Sequence, residues 1–135
     1  MIEAGQIYKY SFTFTQQQVE EFARVTGDNN PLHLDAHYAA NTPFKKPIIH
    51  GFLGGSLFSK ILGTQFPGEG TVYLKQSMEF LRPMFVDNKY EVILEVKEVE
   101  RDKHKALIQT NIIDVTAQKI VIKGEASVMN KDKIQ

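Results

Sequence analysis

Asp28 and His33 stand five positions apart in the run Gly27-Asp28-Asn29-Asn30-Pro31-Leu32-His33, and His50-Gly51 follows seventeen residues after His33. An acid and an imidazole kept at that spacing by a proline can hold one water between them. A helix opened by Gly51 can offer backbone N–H groups to a developing oxyanion. These are the parts needed to add water to, or remove it from, an activated carbonyl compound. Pro31 blocks a continuous helix between Asp28 and His33 and pushes Asn30 toward an extended conformation. Asn29 and Asn30 can bond their own backbone in Asx turns, so the run is expected to be a shaped loop. Each piece also has a plainer reading. Gly-Asp-Asn-Asn-Pro is good turn chemistry, and a glycine at a helix start is common.

The elements that position these residues follow from periodicity. Tyr8, Tyr10, Phe12 and Phe14 alternate with Ile7, Lys9, Ser11 and Thr13, which predicts a first strand. Thr15 and Gln18 make a capping-box pair that starts a helix, and Gly27 is placed to end it. Asp35 is a plausible N-cap for a short helix through Ala40. From Gly51 to Gly63 apolar residues occupy nearly every side of a helix, which predicts a buried one. Its small residues, Gly54, Gly55, Ser56 and Ser59, let a sheet or an apolar ligand come close.

Four strands are expected after that helix, over residues 71–80, 90–99, 106–115 and 120–129, each about ten residues against a usual five or six. In the first of them Gln76 falls in register with Val72, Leu74, Met78 and Phe80. A buried amide needs partners, so Gln76 is either satisfied by the core or a donor lining a cavity. Sequential strands joined by short turns predict an α+β fold, an antiparallel sheet wrapped on the helix.

The chain has 135 residues, 42% hydrophobic and 24% charged, which suits a single domain spanning 1–135. Lys+Arg and Asp+Glu balance at 16 each, so charge makes no case for nucleic acid or an anionic membrane as partner. Cysteine is absent, which removes disulfides, a thiol nucleophile and cysteine-bound metal. The N-terminal residues lack a basic-then-apolar pattern, and no apolar run approaches the roughly 20 residues of a membrane span. A cytoplasmic location is expected. The polar C-terminus is expected to fray, and His37 and His104 to be exposed.

Three segments together carry a family resemblance. Asp28-x-Asn30-Pro31-Leu32-His33-x-Asp35, Pro47-Ile48-Ile49-His50-Gly51 and Ser56-Leu57-Phe58-Ser59 closely resemble the MaoC-like (R)-specific enoyl-CoA hydratase and dehydratase family. The likeness continues through Tyr73-Leu74-x-Gln76-Ser77 and Phe80-x-x-Pro83-x-Phe85-Val86-x-Asn88. It implies the hot-dog fold, a long antiparallel sheet around one central helix at about residues 51–63. It implies reversible addition of water to trans-2-enoyl-CoA, giving (R)-3-hydroxyacyl-CoA, in a homodimer, with no cofactor and no metal. By this resemblance the acid/base pair is Asp28 and His33, the oxyanion donor is the Gly51 N–H, and Ser59 takes a supporting role. Asn30, His50, Leu62 and Gln76 are further supporting or tunnel candidates. Which of Asp28 and His33 is base stays open.

The chain departs from the family in details. Asp87-Asn88 stands where several members have Gly-Asp. Arg82, Lys45 and Lys46 are candidates to meet CoA phosphates, or simply solvated charges. Two other functions remain in view: a hot-dog acyl-CoA thioesterase and a non-catalytic acyl-thioester-binding module. Many such thioesterases carry a carboxylate on the central helix, and Gly51–Gly63 has none. A mere binder has no use for both Asp28 and His33.

Overall fold

The computed structural model describes residues 1–135. Strand β1 (Ile7–Phe12) leads to helix α1 (Gln16–Thr26), two short helices α2 (Pro31–Leu34) and α3 (Ala36–Ala40), and the longer α4 (Gly51–Thr64). Strands β2 (Val72–Phe80), β3 (Tyr90–Glu100), β4 (Lys105–Asp114) and β5 (Lys119–Met129) follow. They form one five-stranded antiparallel sheet in the order β1-β3-β4-β5-β2. This is the expected α+β architecture, with strand bounds within a residue or two of those predicted after α4.

The helix starts and stops have local causes. Thr15 and Gln18 close a capping box on α1, and Gly27 ends it with φ 78°, a left-handed conformation that glycine adopts without penalty. Asn30 accepts the N–H of Leu32 and opens α2, with Pro31 in the first turn. Residues 28–30 form the expected loop, which Pro31 turns into the single helical turn that carries His33. Proline is well tolerated at that first position, where its missing N–H is not needed. Asp35 then caps α3 through the N–H groups of His37 and Tyr38.

Leu57, Phe58, Ile61 and Leu62 of α4 share one core with Val92 and Leu94 of β3, Ile108 and Ile112 of β4, and Ile122 and Val128 of β5. Alternation in β3 and β4 sends every second side chain inward, as period-two strands require. Each fully buried aliphatic side chain contributes about 1.5–3 kcal/mol.

Two expectations about burial change. Helix α4 is not covered all round: Phe52 is 67% exposed, and Ser56, Ser59 and Lys60 face solvent in the single chain. Strand β2 is an edge strand, and Val72, Tyr73, Leu74 and Phe80 are exposed. Leu74 is an unpaired bulge between the Tyr73–Val128 and Lys75–Ser127 pairs. The bulge breaks the register read from alternation and puts Tyr73, not Leu74, on the face of Gln76.

The C-terminus does not fray. Ile134 is fully buried, and Lys133 accepts the N–H of Ile2. His104 is half-buried rather than exposed, and its Nδ1–H donates to the Ile134 carbonyl at 2.7 Å.

Candidate active site

The end of α1, the turn of α2 and the start of α4 bring Asp28, His33, His50 and Gly51 together. One donor atom each from Asp28, His33 and His50 lies within 4.8 Å of the others. Asp28 is exposed, His33 half-buried and His50 buried.

Backbone carbonyls set both imidazole tautomers. A carbonyl only accepts, so His33 Nδ1 must carry the proton it donates to Ile48 at 2.8 Å. His33 Nε2 is then left with a free lone pair. Gln16 fixes the same residue from behind, its amide donating to the His33 carbonyl at 3.0 Å. By the same logic His50 Nε2–H donates to the Asp28 carbonyl at 3.0 Å, and its Nδ1 is a buried acceptor without a partner.

Burial holds the His33 pKa below its ordinary 6.5, because the site disfavours the charged ring. The Ile48 hydrogen bond pulls the other way, His50 lowers the value further, and Asp28 raises it. His33 is therefore neutral at pH 7, with Nε2 ready to accept a proton.

The His50 carbonyl takes the N–H groups of Leu53 and Gly54 at 3.0 and 3.3 Å. The N–H groups of Gly51 and Phe52 have no partner in the chain, as the first turn of a helix leaves them. They carry the positive end of the α4 dipole. Gly51 and His33 line one cavity of about 380 Å³, whose other walls are largely apolar and include Phe44, Phe52, Phe80 and Met84. A Cβ at 51 would stand 2.5 Å from the Phe80 ring, so any larger residue there must displace that exposed ring.

The chain belongs to the MaoC-like domain family. The family model described as MaoC like domain matches residues 2–123. The (R)-specific enoyl-CoA hydratase of Aeromonas caviae is 42% identical over 94% of this chain and 94% of its own. The 3-hydroxybutyryl-CoA dehydratase of Methylorubrum extorquens is 38% identical over 84% of this chain and 71% of its own. Among solved structures, an (R)-hydratase from A. caviae involved in PHA biosynthesis superposes with a TM-score of 0.91 at 41% identity, covering 96% of this chain and 97% of that one. Unliganded R-hydratase PhaJ1 from Pseudomonas aeruginosa gives 0.89 at 41% identity, covering 96% and 82%. The fold is thus the hot-dog fold of these MaoC-like hydratase structures.

The remaining sequence candidates fall in different places. Asn30 caps α2 beside the pair. Ser59 lies two turns along α4 on its exposed face, and Leu62 is buried in the core; neither lines the cavity. Gln76 is satisfied by the fold. Its Nε2 donates to Thr110 Oγ1 at 2.8 Å and to the Ser77 carbonyl at 2.7 Å, and its Oε1 accepts from Tyr73. Of its two possible readings, the structural one describes this geometry.

Among the basic candidates, Arg82 lines the cavity and donates to the Ile120 carbonyl at 2.7 Å. Lys46 sits over the Phe85 ring at 4.6 Å, and Lys45 is exposed. Sequence reasoning did not single out Gln16, Phe22 or the Ile48 carbonyl. They act through backbone or ring contacts that no spacing rule encodes.

The His33 and His50 rings stack at 3.9 Å between centroids and 28° between planes. The stack sets His33 beside Asp28, where the two can handle a proton.

Proposed function

We propose that this protein reversibly hydrates trans-2-enoyl-CoA to (R)-3-hydroxyacyl-CoA through Asp28, His33 and the Gly51 N–H. The observation that carries the reading is the free Nε2 lone pair of His33, fixed by Ile48 beside Asp28, in a cavity that also exposes unpaired helix N–H groups. The relatives at 42% and 38% identity, named as hydratase and dehydratase, support the same reaction in its two directions.

The chemistry follows from where charge moves. The enoyl thioester enters the apolar cavity with its carbonyl oxygen toward Gly51. Asp28 and His33 share one water. Its oxygen bonds to C3, His33 Nε2 takes its proton, and the C2=C3 electrons shift onto the thioester oxygen. The Gly51 N–H stabilises that charge, a contribution typically worth about 3–4 kcal/mol for one such donor. A proton returned from the pair to C2 completes the addition. The sequence needs no redox partner, cofactor or metal, because water and two protonation sites balance it.

The exposed apolar side chains of edge strand β2 and Phe52 of α4 favour a homodimer that covers them. The outward Ser59 would then face the second copy, so its supporting role belongs to the assembled form. No helix is long and apolar enough to cross a membrane.

The test is hydration of crotonyl-CoA, read as loss of enoyl-thioester absorbance with chiral analysis of the product. Conversion to the (R)-alcohol supports the reading. Release of free CoA would instead indicate a thioesterase, and a folded protein that binds enoyl-CoAs of several lengths without turning them over would indicate a binding module.

A further inference from the structure

We propose that His50 is a positioning residue, one that locks Asp28, His33 and Gly51 into a single geometry for the hydration step; this rests on the hydratase reading above. The ring is 2% exposed and packs against two other rings. Phe22 of α1 packs against it at 4.9 Å with planes tilted 57°, and His33 stacks on it at 3.9 Å. Its Nε2–H reaches the carbonyl of Asp28 at 3.0 Å and so fixes the backbone that carries the acid. Its own carbonyl receives the N–H groups of Leu53 and Gly54 and so anchors the first turn of α4, where Gly51 stands. One residue thus touches the acid through a hydrogen bond, the base through a ring stack and the oxyanion donor through the chain.

The bare Nδ1 strengthens the argument. An aromatic or aliphatic side chain would fill the slot between Phe22 and His33 without burying an unpartnered acceptor. A histidine serves here because its other nitrogen supplies the bond to Asp28. The position is therefore not explained by packing alone, and the loss of that donor should appear in turnover before it appears in stability.

The experiment compares wild type, His50→Gln and His50→Phe in the crotonyl-CoA assay, with melting temperature recorded for each. Glutamine keeps a donor near the Nε2 position, whereas phenylalanine keeps a ring and loses the donor. His50→Phe should melt within about 5 °C of wild type. Its kcat should fall about 10- to 100-fold with KM within about twofold, as expected for a small misplacement of reacting groups. His50→Gln should recover at least part of that loss.

A His50→Phe variant with wild-type kcat would overturn the inference, as would a loss confined to KM. If phenylalanine prevents folding, glutamine is judged against alanine: a folded His50→Gln with kcat no higher than that of a folded His50→Ala also overturns it. Inactive wild type would count against the hydratase reading itself. In that case the His33 Nδ1–H, shielded by the Ile48 carbonyl only while the ring stays in place, should still exchange faster with solvent in His50→Ala when followed by NMR; an unchanged exchange rate would show that His50 positions nothing.

Discussion

Asn130 and His50 are buried almost equally, at 1% and 2% exposure, and the fold treats them in opposite ways. Asn130 follows β5 and uses its whole amide. Its Nδ2 donates to the Glu69 carbonyl and Thr71 Oγ1 at 3.1 and 3.0 Å, and its Oδ1 accepts from Asp132 and Lys133 at 3.0 and 2.9 Å. His50 makes one bond and leaves its second nitrogen unpaired, next to a His33 that also keeps a free lone pair. A buried polar group that serves stability is saturated, because an unmet donor or acceptor costs about 1–3 kcal/mol. A polar cluster that serves chemistry must keep a valence open for substrate. The contrast distinguishes these two centres, but an open valence marks chemistry only beside other reactive groups, since Asn111 Oδ1 on β4 is also buried without a partner.

The sharpest way to break that division is to remove the reactive pair. Asp28→Asn and His33→Ala should each lower kcat/KM about 10²- to 10⁴-fold, the usual range for positioned acid–base groups and about 3–5 kcal/mol of barrier. Asp28→Asn should leave the denaturant midpoint nearly unchanged, since Asp28 is exposed, whereas His33→Ala gives up the Ile48 hydrogen bond and the His50 stack and should cost about 1–3 kcal/mol. Activity retained in a folded Asp28→Asn would remove Asp28 from the reactive centre. Asn130→Ala tests the other side. It removes four hydrogen bonds and should cost about 2–4 kcal/mol of stability. Its kcat at a temperature where it is folded should match wild type. A selective loss of kcat there would show that the two centres are coupled.

The two centres also differ in how far the sequence revealed them. Asp28, His33 and Gly51 stood out because their types and spacing carry chemistry, and the capping signals at Thr15, Gly27 and Asp35 place them. The sheet was legible from alternation in β3 and β4. Asn130 gave no signal, since its partners Glu69 and Thr71 lie far away in sequence and meet it only when β2 pairs with β5. The fray expected from Lys131-Asp132-Lys133 failed for that reason: polar composition says nothing of a long-range amide clamp. Leu74 misled for a related reason. A bulge costs one residue of register and is invisible to a period-two pattern. The exposed face of α4 was unreadable because apolar residues there face outward as well as inward.

A smaller effect tests Gly51 against its wall. Gly51→Ala keeps the backbone N–H and adds only a methyl group, which would meet the Phe80 ring at 2.5 Å. The ring sits on edge strand β2 and can yield, so overpacking should cost about 1–3 kcal/mol, shared between stability and substrate fit. KM for crotonyl-CoA should rise several-fold, with a lesser change in kcat. The companion variant Phe80→Leu should relieve the clash and restore KM. A double variant no better than Gly51→Ala would mean that the methyl group obstructs the substrate directly.

The smallest predicted effect concerns pH, and its sign follows from the burial of His33. The ring must be neutral to accept a proton from water, and its pKa lies below 6.5. The acidic limb of kcat/KM should therefore fall below pH 6.5, and activity should persist where an exposed histidine would already be half-charged. Between the depressed folded value and 6.5, the unfolded chain binds more proton at this residue than the folded one does. Lowering the pH through that window thus removes stability, and the loss should be absent in His33→Ala after other groups are matched. Removing the ring that helps depress the value, as in His50→Gln, should move the acidic limb upward. His33 is the base only if that limb follows its ring, so NMR titration of His33 beside the rate profile is the check. A limb that stays in place while the His33 titration shifts would assign the base to another group.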